Sequence, residues 1–226
     1  MLALVEYRSR GENKERGRRL CGVFFHVAKV RDGSMLAARL SALRAARVLS
    51  GLGVRTAVFP PDYPFGRIFA RYGIVPPDTE ALNRAAALPA IRLALAQLGV
   101  EPRRAHVALA APCVTSELGM LALSLCDEVG RISLRAGSGE ERLARELMRA
   151  KGVALGCGTD RADLTAAYGD AEAKGAVLRL DAKRRIEFES EYPDELLAAL
   201  LNAGALKASA LKVRRVVLCD DHGSAG

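Results

Sequence analysis

The sequence predicts an α/β fold: a mainly parallel sheet with helices on both faces, joined to an N-terminal βαβ unit and a helical segment. Three observations carry this. Short apolar runs alternate with longer stretches of helical period along the whole chain. The runs "RLCGVFFHVAKV" and "VRTAVFP" are separated by one amphipathic helix, and a helical crossover makes such strands parallel. From 106 to 158 the order strand, helix, strand, helix, strand repeats at regular spacing.

The elements follow in order. "LALVEY", 2 to 7, alternates as a strand does, and "RLCGVFFHVAKV", 19 to 30, reads as one longer strand. The polar, glycine-punctuated stretch between them reads as a long solvated hairpin loop. Ser34 is placed to cap a helix over 35 to 51, with Leu36, Leu40 and Leu43 on its apolar face and Gly51 and Gly53 as terminators. "VRTAVFP", 54 to 60, closes the βαβ unit. Prolines bracket a short helix over 63 to 72. A second helix over 79 to 98 is apolar on most sides and should kink or break at Pro89.

"EPRR", 101 to 104, marks the expected boundary between an N-terminal part, 1–103, and a C-terminal part, 104–226, as two lobes or one continuous domain. Beyond it strands are expected at 106 to 111, 131 to 136, 153 to 158, 162 to 169 and 175 to 181, with helices at 115 to 129 and 139 to 152. "RRIEFESEY" reads as an edge strand. "PDELLAALLNAG" reads as a helix opening with Pro193 at its first position, "VRRVVL" as a last strand, and the final eight or so residues as loose.

The 226 residues, 50% hydrophobic, suffice for one large domain or two small ones with a sizeable core. The formal charge of +8 favours polyanionic partners, although an Arg- and Ala-rich chain also reflects biased codon usage. Five scattered cysteines, odd in number and without a CxxC pair, argue against a disulfide framework or a zinc site and for a reduced, cytoplasmic setting. The opening "MLALVEYRSR" turns charged within a few residues, so no signal peptide is expected. No apolar run approaches the roughly 20 residues that span a bilayer, so no membrane partner is expected.

The corner "VALAAPCVTSELG", 107 to 119, joins a strand to a helix through small residues. Around it residues 105 to 170 resemble the NADP-binding Rossmann half of shikimate dehydrogenases and glutamyl-tRNA reductases. "VALAAPCVTS" falls on that family's glycine turn, "SLRAGSGEERLARELM" on the loop and helix after its second strand, and "ADLTAAYG" on a later strand. The resemblance implies a Rossmann-like unit, and it places Arg135 where the family's arginine meets the 2′-phosphate of NADP. Ala111, Cys113 and Ser116 stand at the three fingerprint glycines. The second glycine allows close approach of the pyrophosphate, and Cys113 would put a Cβ and a sulfur there. No counterpart of the shikimate enzymes' catalytic lysine and aspartate is present.

The candidate ligand residues are therefore Ala111, Cys113, Thr115, Ser116 and Arg135, together with Cys157 at the end of a later strand. The helix start at Thr115 and Ser116 favours an anion through its free N–H groups, and it equally suits a plain N-cap. Cys113 beside that helix start is a candidate nucleophile or a structural thiol, with no base nearby. His26 reads as a sheet residue, and "CDDH", 219 to 222, has no second cluster to complete a metal site. A basic loop with Arg8, Arg10, Arg16, Arg18 and Arg19 is a candidate nucleic-acid contact or a solvated loop. Three readings stay open. One is a Rossmann-like protein without redox catalysis, needing no cofactor and binding a small anion or a protein. The second is an NADP-dependent reductase with a degenerate turn. The third is a nucleic-acid-associated protein.

Overall fold

The computed structural model describes residues 1–8, 16–159, 161–181 and 185–221. They divide into two compact units, Met1–Thr79 with Glu191–Lys207, and Glu80–Ser190 with Ala208–Gly226. The sequence punctuation had placed its boundary at 103/104.

The first unit holds β1 (Leu2–Arg8), β2 (Gly17–Leu20), β3 (Val23–Arg31), α1 (Met35–Gly51), β4 (Thr56–Val58) and α2 (Gly66–Arg71). The second opens with α3 (Thr79–Ala85), α4 (Ala87–Gln97), β5 (His106–Ala111), α5 (Ser116–Cys126), β6 (Arg131–Ala136) and α6 (Glu140–Lys151). It continues with β7 (Gly156–Cys157), β8 (Leu164–Ala167), β9 (Gly175–Arg179) and β10 (Ile186–Phe188). Then α7 (Asp194–Asn202) belongs to the first unit, and β11 (Val213–Val216) and β12 (Cys219–Asp221) to the second.

The first sheet runs β2-β3-β1-β4, with β1 parallel to both β3 and β4. Parallel pairing of β3 and β4 to the strand between them follows from the α1 crossover. The run 19 to 30, expected as one strand, is two. Cys21 and Gly22 both take positive φ, 47° and 82°, and turn β2 back on β3 as an antiparallel hairpin. A two-residue turn of that kind matches the twist of its strands. The expected long hairpin loop therefore does not join neighbours, since β1 pairs with β3 rather than β2. Residues 9–15 of that loop lie outside the described residues.

Ser34 caps α1 as expected, its hydroxyl accepting from the Ala37 N–H at 3.4 Å. The buried face, however, is Ala38, Ala42, Ala46 and Leu49, packed on Ala3, Val5 and Val30. Leu36, Leu40 and Leu43, expected inside, are 69%, 49% and 44% exposed. Large residues on the facing side (Phe65, Phe69 and Ile74) leave room for alanines, and a small-residue stripe lets the helix approach the sheet closely. On the sheet's other face Leu4, Phe25 and Val58 pack against Leu196, Ala199 and Leu200 of α7.

Helix 79 to 98 breaks as predicted, into α3 and α4 at Ala86. Pro89 has no N–H to give the carbonyl four residues back, so it is accommodated in the first turn of a new helix. Pro193 stands one position earlier than expected, as the N-cap of α7 with extended ψ of 154°.

The second sheet runs β12-β9-β8-β5-β6-β7, all parallel except β12, which pairs antiparallel with β9. Counted in chain order within this unit, its parallel strands lie 3-2-1-4-5. That is the order of a doubly wound Rossmann-like sheet, and the strand order reverses between β5 and β8. Val107, Leu109, Ile132, Leu134 and Leu164 face one core with α4, α5 and α6. The alternate residues Ala108, Ala110, Ser133, Thr165 and Ala167 are also buried. Their small size fits the short connections after β7 and β8, which contain no helix among the described residues. β10 and β11 form a separate antiparallel pair. The tail is not loose throughout: residues 219–221 form β12, and 222–226 lie outside the described residues.

Candidate functional site

β5 ends at Ala111, and α5 begins at Ser116, so the corner sits at the carboxyl end of the central strand, beside the point where strand order reverses. Open α/β sheets bind ligands there. Thr115 is the N-cap: its Oγ1 accepts from the Leu118 N–H at 3.2 Å. The N–H groups of Ser116 and Glu117 belong to the first turn and have no acceptor within the helix. Thr115→Ala is expected to destabilise the second unit by about 1 kcal/mol, seen as a Tm lower by roughly 2–4 °C, whereas Thr115→Ser keeps most of it.

The corner is tied down on two sides. Toward β6, the Gly137 N–H donates to the Pro112 carbonyl at 3.0 Å, and the Val114 N–H donates to the Ser138 carbonyl at 3.0 Å. These bonds carry the β5–β6 ladder beyond Ala111 and Ala136, its last paired residues. Toward β8, Gly169 has φ of 59°, and a Cβ there would come within 3.1 Å of Pro112 Cγ. The Pro112 ring thus lies against the turn that follows β8. Cys113 is exposed between these ties.

Arg135 is the Cα neighbour of Ala110, one strand away, near the carboxyl end of β6. Its guanidinium pairs with Glu172, which reaches over from the segment after β8. The same segment is held by Arg179, which donates to the carbonyls of Gly169 and Ala171 at 2.9 and 3.1 Å. Cys157 lies beyond β6 on β7, paired with Leu134, and is exposed. Ala111, Arg135 and Cys157 therefore stand near the carboxyl ends of three adjacent strands.

Two neighbours of the corner were not anticipated from the sequence. Tyr168 follows β8 directly, its N–H donating to the Ala110 carbonyl at 2.9 Å. Burial pushes its hydroxyl pKa well up; Glu117 adds to the rise and Arg84 opposes it. Arg84 of α3 pairs with Glu117 of α5 at 3.3 Å. On the helical side, a groove of about 610 Å³ opens between α5 and α6, with Thr115, Ser116 and Met120 on one wall and Gly139, Arg142 and Glu146 on the other.

His106 is far from Cys113, at the other end of β5. Its Nδ1 donates to the Arg161 carbonyl at 3.0 Å, and its Nε2 is hydrogen-bonded with Ser133 Oγ, 2.9 Å away. Asp163 accepts from its backbone N–H at 2.7 Å. The histidine clamps the start of β5 to β6 and to the connection entering β8.

The basic candidates lie in the first unit. Arg8, Arg16 and Arg19 are exposed, and Arg10 lies outside the described residues. Arg18 instead turns to Glu6, at 2.7 Å. That pair lines a groove of about 440 Å³ at the carboxyl ends of β1 and β4, with Tyr7, Phe59 and Tyr192. No helix among the described residues is long and apolar enough to cross a membrane.

No family model matches the sequence, and no curated protein matches it. Among solved structures the chain is similar to L-tryptophan dehydrogenase from Nostoc punctiforme, at 15% identity and a TM-score of 0.31, over 66% of this chain and 45% of that one. It is also similar to the catalytic subunit of M. jannaschii aspartate transcarbamoylase, at 15% identity and a TM-score of 0.28, over 74% and 60% of the two chains. The chain thus spans less than two thirds of either protein. Likenesses of this degree carry no argument, and the Rossmann-like assignment stands on the strand order.

Proposed function

We propose that the chain is a cytoplasmic Rossmann-like protein without redox catalysis, which binds a small phosphate- or nucleotide-like anion at the start of α5. One observation carries the reading: the corner after β5 retains the helix start but closes the cradle above it. Pro112 offers no N–H, Val114 spends its own on Ser138, and Cys113 carries a side chain where a diphosphate would need bare backbone. Ser116 and Glu117 keep their N–H groups, and Arg142, which pairs with Glu146 at 2.9 Å and would turn from it to meet an anion, stands across the α5–α6 groove from Ser116. A single phosphate needs only such a helix start and a nearby cation.

A thermal-shift series with inorganic phosphate, AMP and NADPH tests this. Phosphate and AMP are expected to raise Tm saturably, by the few degrees that correspond to about 1.4 kcal/mol at ten times Kd. NADPH should add nothing beyond its phosphate groups. A Tm rise specific to NADPH, together with turnover of a carbonyl substrate, rejects the reading in favour of a reductase. That alternative would also require Arg135 to leave Glu172.

A further inference from the structure

The first unit carries a second concave surface, separate in sequence and chemistry from the corner after β5. A groove of about 830 Å³ runs between α1 and the β2–β3 hairpin. Its floor and walls are apolar: Phe24, Ala28, Ala45, Val48 and Leu52. Phe24 is 51% exposed and Val48 63% exposed, unusual for large apolar side chains that face a cavity. The Phe24 ring lies directly on Gly17, where a Cβ would come within 2.2 Å of it. It meets the His26 ring edge-on at 5.1 Å. The glycine and the histidine together hold an aromatic shelf along one side of the groove.

The charged groups are all of one sign, and His26 and Ser41 are the other polar side chains on its lining among the described residues. Arg16, Lys29 and Arg44 line the groove, and no carboxylate lines it among the described residues. α1 bears three arginines, Arg39, Arg44 and Arg47, and no acidic residue over its whole length. An occupant must therefore offer apolar surface and negative charge together. A second copy of this chain would bring α1 arginines against their own kind. A flat bilayer does not enter a concave groove, and the volume falls in the range of sites for small molecules, roughly 300–1,000 Å³.

We propose that this groove binds a single-chain anionic amphiphile. Arg44 and Arg16 hold the anionic head, and the aliphatic body lies over Phe24, Ala45, Val48 and Leu52. The site does not depend on the anion site at α5, because its residues are all in the other unit.

Calorimetric titration of the full chain with dodecanoate, below its micelle concentration, tests this. One molecule is expected to bind per chain. Dodecyltrimethylammonium, with the opposite charge, and butyrate, without the chain, should each bind at least tenfold more weakly. Arg44→Glu and Val48→Asp should each weaken dodecanoate at least tenfold. Leu40→Asp, on the exposed stripe of the same helix but outside the groove, should leave it unchanged. Arg44 and Val48 are both exposed, so these variants keep the fold, and circular dichroism with an unchanged Tm verifies it. The proposal is overturned if dodecanoate does not bind, if the cationic chain binds equally well, or if both groove variants bind like the parent. Binding to phosphatidylglycerol vesicles that Val48→Asp abolishes, with no uptake of free dodecanoate, assigns the face to a bilayer and overturns it too. So does a dimer in light scattering that Val48→Asp dissociates.

Discussion

Leu109→Ala is expected to lower the unfolding free energy of the second unit by about 3 kcal/mol, and its Tm by roughly 6–12 °C. Leu109 is fully buried in the central strand, with Leu134 and Ala166 as its cross-strand neighbours. It shares one core with Leu118, Leu121, Ala122 and Leu125 of α5 and with Leu143 and Leu147 of α6. Truncation removes transfer energy and leaves a cavity that parallel strands, locked on both sides, cannot collapse to fill. Leu109→Met keeps the volume and should lose under about 1.5 kcal/mol. Leu40→Ala, from an exposed position, should change stability by no more than about 0.5 kcal/mol. Urea titration reads all three, with an unchanged m value showing that only the native state was weakened. If Leu109→Ala were as mild as Leu40→Ala, the strand would be facing the wrong way.

The contrast between Leu109 and Leu40 also shows what a sequence discloses and what it withholds. β5 and β6 were legible to the residue because each is a short apolar run followed by a turn of small residues and a helical pattern. α1 was legible in extent, since Ser34 and Gly51 punctuate it. Its buried face was not. The helix carries a leucine stripe and an alanine stripe, and only the bulk of the opposing residues decides between them. The same ambiguity hid the groove beside α1, although the absence of any acidic residue from that helix was open to view. The β2–β3 turn was missed because an apolar run masked it, with Gly22 as its one signal. At the corner, the Thr115 cap was local and therefore readable. The partners that close the corner were not, since Glu172 lies 37 residues from Arg135 and only the fold brings them together.

Gly137→Ala is expected to destabilise the second unit by about 2 kcal/mol, within the 1–3 kcal/mol usual for overpacking, and to loosen the corner itself. Gly137 needs no left-handed backbone, so conformational strain does not enter. The obstacle is space. A Cβ at this position would lie 2.6 Å from the Pro112 carbonyl oxygen, the atom that accepts the Gly137 N–H. A backbone oxygen cannot rotate away as a side-chain end can, so the loop after β6 must move off the corner. Its departure breaks the Gly137–Pro112 bond and strains the next one, between Val114 and Ser138. Hydrogen exchange should report this locally: the Val114 amide should lose protection in the variant, while the Leu109 amide, deep in the sheet, keeps most of its own. A global loss of protection, equal at both amides, would mean that the glycine serves only overall packing. An unchanged Val114 amide would mean that the ladder's extension past Ala111 is not what closes the space above Cys113. The proposal of a single-phosphate site rests on that closure, because the bond to Ser138 takes up the Val114 N–H that a diphosphate would otherwise use.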